Sequence, residues 1–183
     1  MPEDELSDAL QSPDLQTRLE AVERAALDPA RYAKSVVALI PQFPGEAYFI
    51  FERVGYFGVE IVPHLVALAE SNRDEHVRLF AALGLARFKR VLDRTTLLNA
   101  IRHRSEYQGL ACQALVWLGS VEFLPSLLDE LRVTSPVADW NRLVSLVNAI
   151  ESLGGKIPMS ERERLIATGP LLTKAMLDCK RVG

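Results

Sequence analysis

The sequence predicts an all-α protein made of repeated helical pairs, and three observations predict it. Apolar residues recur at helical spacing along almost the whole chain, and no stretch alternates with period two for long enough to be a strand. Helix-start and helix-stop residues recur between the apolar stripes. Segments about thirty residues apart superimpose, which is how a repeat protein announces itself.

The stripes come in order. Leu15, Leu19, Val22 and Ala26 form the first, and Val77, Phe80, Ala81, Gly84, Leu85 and Phe88 a later one. Leu143, Leu146, Val147, Ile150 and Leu153 form another. Starts are expected at Ser12-Pro13-Asp14, Asp28-Pro29, Asp74 and Asp93, and at Ser160 with Glu163 as a capping box. Stops are expected at Gly58, Gly119, Gly154-Gly155 and Gly169-Pro170. The apolar run Ser35 to Ile40 is expected to stop at Pro41.

Aligning the first helix of each unit gives columns. One reads Val54, Leu85, Leu115, Ile150; another reads Ile50, Ala81, Ala111, Leu146; a third reads Phe57, Phe88, Leu118, Leu153. All three stay apolar, as they must if each unit buries its stripe against its neighbours. A fourth column, Tyr56, Arg87, Trp117, Ser152, changes chemistry from unit to unit. Facing the next unit it is core, the preferred reading. Facing solvent it is an aromatic–arginine strip of the kind enriched at binding hot spots.

The run Val62-Pro63-x-Leu65, then Asp74-x-x-Val77-Arg78-x-x-Ala81-Ala82-x-x-Leu85, resembles the short HEAT-like repeat of the phycobilisome-lyase type. Asp14 with Arg18 looks like a second instance. The resemblance is good over residues 45–132, weaker at 14–44 and weakest after 136. It implies a right-handed α-solenoid of about five antiparallel helix pairs, with Asp74 capping a helix and Arg78 bridging adjacent units. The expected organisation is one domain over residues 1–183: an acidic cap at 1–13, repeats over 14–155 and a helical cap over 156–183.

Charge and composition narrow the function classes. The 183 residues are 49% hydrophobic and 25% charged with net charge −3, an ordinary globular balance. That balance weighs against a nonspecific nucleic-acid binder, which needs a cationic field. Cys112 and Cys179 have no CxxC or metal-ligand spacing, which suits a reducing compartment. The acidic N-terminus lacks a signal-peptide layout, and no apolar run is long enough to span a bilayer. The expectation is a cytoplasmic protein with no membrane partner.

No catalytic, cofactor-binding or metal-binding residues are assigned. His64, His76 and His103 lack ligand-spaced companions beyond the loose pair with Glu60, and read as surface or capping residues. No Gly-x-Ser-x-Gly or phosphate-cradling glycine loop occurs. Cys112 reads as a small buried hydrophobe. Cys179, beside Lys180 and Arg181, reads as an ordinary cysteine of a terminal helix.

What remains is charge asymmetry. Residues 1–28 hold eight acids against two bases, while residues 87–104 hold Arg87, Lys89, Arg90, Arg94, Arg102 and Arg104 against Asp93 alone. Such a cluster is either a solvated face with cations completing helix C-termini or a site for an acidic partner. With Tyr56 and Trp117, these six cations form the expected partner-binding set. The expected function is a non-enzymatic scaffold or adaptor that binds another protein carrying an acidic patch. The alternatives are a toxin-neutralising bacterial immunity protein, a HEAT-like DNA glycosylase and a bilin lyase-like subunit.

Overall fold

The computed structural model describes residues 3–92, 94–103, 106–169 and 171–179, without the side chains at 3, 4, 171, 172, 178 and 179. Among the described residues every regular element is helical and there is no strand. The chain divides into two compact units, Met1–Thr96 and Leu97–Gly183.

The first unit contains α1 (Glu3–Leu10), α2 (Leu15–Ala25), α3 (Pro29–Gln42), α4 (Ala47–Val54), α5 (Val62–Ser71), α6 (Glu75–Arg87) and the start of α7 (Arg94–Arg102). Local chemistry sets several boundaries. The Asp14 carboxylate accepts from the Thr17 backbone N–H at 2.8 Å, and the Asp74 carboxylate from the His76 N–H at 2.8 Å, so each satisfies a donor that the first helical turn leaves open. Pro29 and Pro63 stand in first turns, where a missing N–H costs nothing. Pro41 does not stop α3, which runs on to Gln42; its fixed φ suits a helix, and the missing N–H costs the Val37 carbonyl its intrahelical donor.

In this unit α4 packs against both α2 and α6, and α3 packs against α5. The contacts at the helix ends show that α2, α4 and α6 run in the same direction. At their starts, Arg18 of α2 pairs with Glu46 just before α4, and His76 of α6 donates from Nε2 to the Pro44 carbonyl at 3.0 Å. A carbonyl only accepts, so the proton lies on Nε2. At their ends, Arg53 of α4 reaches Glu23 of α2 at 2.8 Å, and Arg87 of α6 donates to the Glu52 carbonyl of α4 at 3.1 Å. The partners are separated by 28, 32, 30 and 35 residues, so the cross-links repeat at the period of the sequence.

The second unit contains the rest of α7, then α8 (Gln108–Leu118), α9 (Leu124–Val133), α10 (Trp140–Ser152), α11 (Met159–Thr168) and α12 (Leu171–Cys179). Here α10 packs against α8 and α9, and α11 against α12. Glu130 of α9 receives both Arg102 and the buried Arg142 of α10. Arg164 of α11 donates to the Thr134 carbonyl just past α9 and to the Leu131 carbonyl, which also accepts the Thr134 N–H. The expected capping box at Ser160 does not form: α11 begins at Met159 after Pro158, with no side-chain cap. Proline fixes the extended approach there, and the turn closes through Glu161 and Arg162 N–H groups bonded to the Pro158 carbonyl. The expected start at Asp93 lies outside the described residues, as does the Pro170 half of the Gly169-Pro170 stop.

Two of the apolar columns are buried throughout. Val54, Leu85, Leu115 and Ile150 are fully enclosed, as are Ile50, Ala81, Ala111 and Leu146. In the third, Phe57 and Leu153 are buried while Phe88 and Leu118 are half-buried. The fourth column is not core: Tyr56 is 64% exposed, Ser152 is exposed, and Arg87 and Trp117 are half-buried.

Four described residues have positive φ: Gly58 (58°), Lys89 (55°), Gly119 (66°) and Gly154 (78°). Each lies four positions after a member of the column Val54, Leu85, Leu115, Ile150. A positive φ thus recurs after the first helix of four successive units, with lysine in the glycine position of one of them; Gly119 is left-handed (ψ 20°), whereas Gly58, inside the 3-10 segment after α4, has ψ −153°.

Candidate partner-binding surface

The sequence-predicted cations separate by environment. Arg87 is a structural group, with its guanidinium 4.4 Å from the Phe51 ring centre and bonded to the Glu52 carbonyl. A β-carbon at Gly55 would stand 3.1 Å from its Nη1, so that glycine makes room for it. Arg102 is exposed but paired with Glu130 at 3.2 Å. Arg94 is exposed at the start of α7. Arg104 lies outside the described residues.

Lys89 and Arg90 differ from these. Both are exposed, and neither side chain has a hydrogen bond or ion pair among the described residues. Their backbones are well held. The Lys89 N–H bonds to the Ala86 carbonyl and the Arg90 N–H to the Leu85 carbonyl, each at 3.0–3.1 Å. Gly154 and Gly155 repeat the pattern on Glu151 and Ile150, which is the paired closure of a helix end by a left-handed residue. A side chain there meets the following carbonyl, so the position normally falls to glycine. Val91 and Leu92, next in the chain, are also exposed.

The ends of α2 and α4 carry exposed apolar groups as well. Leu27, in the turn between α2 and α3, is 87% exposed, and Val59, in the 3-10 segment Gly55–Ile61 after α4, is 71% exposed. In the second unit, Val121 and the half-buried Trp117 flank the turn at Gly119.

The other candidates are placed as follows. Phe51 is buried and Phe49 exposed. His64 is half-buried, and His103 is exposed. Cys112 is buried, and burial pushes its thiol pKa up to about 12. The resemblance implies a bridging role for Arg78, and its guanidinium approaches the Thr96 hydroxyl at 3.5 Å. It lines an open cleft of about 450 Å³ with Glu70, Asn72 and Thr96. Among the described residues no group of three or more His, Cys, Asp or Glu side chains is placed to hold a metal ion, and no helix is long and apolar enough to cross a membrane.

Sequence reasoning missed the backbone state of Lys89. The signal was present, because Lys89 falls in register with Gly58, Gly119 and Gly154. No family model, curated protein or solved structure matches the chain.

Proposed function

We propose that the chain is a right-handed α-solenoid of HEAT-like helix pairs, and that it serves as a non-enzymatic adaptor binding a protein partner. The solenoid reading is supported by the repeated cross-links at 28 to 35 residues and by the recurring positive-φ position. It is also supported by the stacking of α4 on α2 and α6. Stacked repeats give a long surface suited to extended partners.

The observation that carries the binding reading is the loop at Lys89 and Arg90. Two cations stand in solvent with no hydrogen-bond or ion-pair partner among the described residues, beside exposed Val91 and Leu92. Charge next to accessible apolar surface is the make-up of a recognition site for a protein bearing carboxylates. Arg94 and Tyr56 extend the proposed contact set, whereas Arg87 and Arg102 serve the fold.

The test is affinity capture from native host lysate, with wild type beside Lys89→Glu/Arg90→Glu. Glutamate is no more strained than lysine at the left-handed position, so circular dichroism should match wild type. One stoichiometric protein, lost with the variant, is the expected result. Retention of the same protein by the variant would remove these residues from the site.

A further inference from the structure

We propose that the edge formed by the turns closing α2, α4 and α6 docks an extended peptide segment that combines carboxylates with aliphatic side chains, and that Lys89 is its specificity-determining residue. This inference rests on the protein-binding reading and names the surface and the chemistry of the partner.

The geometry lies within the first unit. The Arg53–Glu23 pair and the Arg87 bond to Glu52 bring the ends of α2, α4 and α6 side by side, so the turns that follow share one edge. Each turn puts a large apolar side chain into water: Leu27 at the first, Tyr56 and Val59 at the second, Val91 and Leu92 at the third. Scattered exposed apolar residues are ordinary on a protein surface. Their recurrence at three adjoining turns gives an apolar line along one edge, the footing an extended segment uses.

Charge selects the occupant. The third turn with its flanking arginine, Arg87-Phe88-Lys89-Arg90-Val91-Leu92-Asp93, holds three cations against one carboxylate. Arg87 is engaged with Glu52, which leaves Lys89 and Arg90 to meet a partner. Asp28 at the first turn and Glu60 at the second are exposed acids. The carboxylates of the segment therefore belong over the third turn, and its aliphatic residues over the first two.

The backbone supplies an independent argument. The positive-φ position is glycine at 58, 119 and 154, and glycine would relieve the strain at 89. Backbone strain kept at one position of a repeat marks a side chain retained for what it does. The lysine side chain has no hydrogen bond or ion pair among the described residues, so its use is external.

The test pans a random peptide library displayed on phage against the immobilised full-length protein, with duplex DNA as a parallel probe. The expected pool is enriched in Asp and Glu beside Leu, Ile or Val. The best peptide is then titrated against wild type, Lys89→Gly, Lys89→Asn and Val59→Ser. Asparagine tolerates positive φ without carrying charge, so it separates charge from backbone. Both Lys89 variants should bind roughly five- to tenfold more weakly, Val59→Ser should also weaken binding, and Lys89→Gly should unfold at higher denaturant than wild type. Peptides enriched on wild type that bind all the variants equally would overturn the turn edge while leaving the protein-binding reading in place. Enrichment of peptides without carboxylates would overturn the role of Lys89. No enriched peptide, with salt-dependent DNA binding by wild type instead, would overturn both.

Discussion

Lys89 and Gly154 close their helices in the same way. Each has positive φ, each donates its N–H to the carbonyl three residues back, and in each case the following N–H reaches the carbonyl five residues back. One side chain is a lysine in solvent and the other is absent. That contrast places a cation at a point of the fold where the backbone favours none.

The core columns predict large losses on truncation. Leu85→Ala and Leu115→Ala should each cost about 2–5 kcal/mol in urea unfolding, because both side chains are fully enclosed and leave a cavity. A cost near zero at either position would mean that the column is misaligned.

The Arg18–Glu46 pair should matter more than an ordinary surface pair. Arg18 is only 2% exposed, stacks 3.8 Å from the Phe43 ring centre and also donates to the Ser12 carbonyl. Glu46→Ala leaves that charge buried without its counter-ion and should cost about 3 kcal/mol. An exposed pair such as Arg132–Asp129 should give less than about 1 kcal/mol when broken. Paired urea titrations of the two variants make the comparison.

Cys112 should be inert in the folded protein. Its thiol is enclosed and its pKa is raised to about 12 by burial, so almost no thiolate exists at pH 8. In a Cys179→Ser background, a thiol reagent at pH 8 should label the protein only after urea is added. Rapid labelling of the native state would contradict the buried placement.

The cap at Asp14 sets an acid limit. Hydrogen bonds from the Thr17 N–H and hydroxyl, with Arg18 nearby, hold its carboxyl below the usual 3.8. A pKa lowered by folding contributes stability above the unfolded value, and that contribution disappears as pH falls through the folded one. Wild type and Asp14→Ala should therefore differ in stability near neutral pH and converge below pH 3.8. A constant difference down to strongly acidic pH would rule out the cap.

How much was legible follows from where each signal lies. The columns through Leu85 and Leu115 could be read because burial imposes a periodic apolar requirement on the chain itself. The placement of Asp14 and Asp74 could be read because a cap acts on residues two or three positions away. The tasks of Arg87 and Arg102 could not, since their partners, the Glu52 carbonyl and Glu130, lie 35 and 28 residues away and are brought close only by packing. A run of cations in the sequence thus holds the anchors Arg87 and Arg102 beside Lys89 and Arg90, which have no partner among the described residues. The exposure of Tyr56 is not legible, because its column changes between aromatic, charged and polar residues and so fixes no face. Lys89 hid the turn that Gly58, Gly119 and Gly154 disclose, because its side chain signals charge and not backbone conformation.

The most direct test of the whole account is Lys89→Gly, measured by urea unfolding and by retention of the native partner in the same preparation. The account predicts a gain of about 1 kcal/mol in stability as the strained position relaxes, together with reduced capture of the partner. An unchanged or lower unfolding midpoint with undiminished capture would contradict both the shared turn and the role given to its lysine.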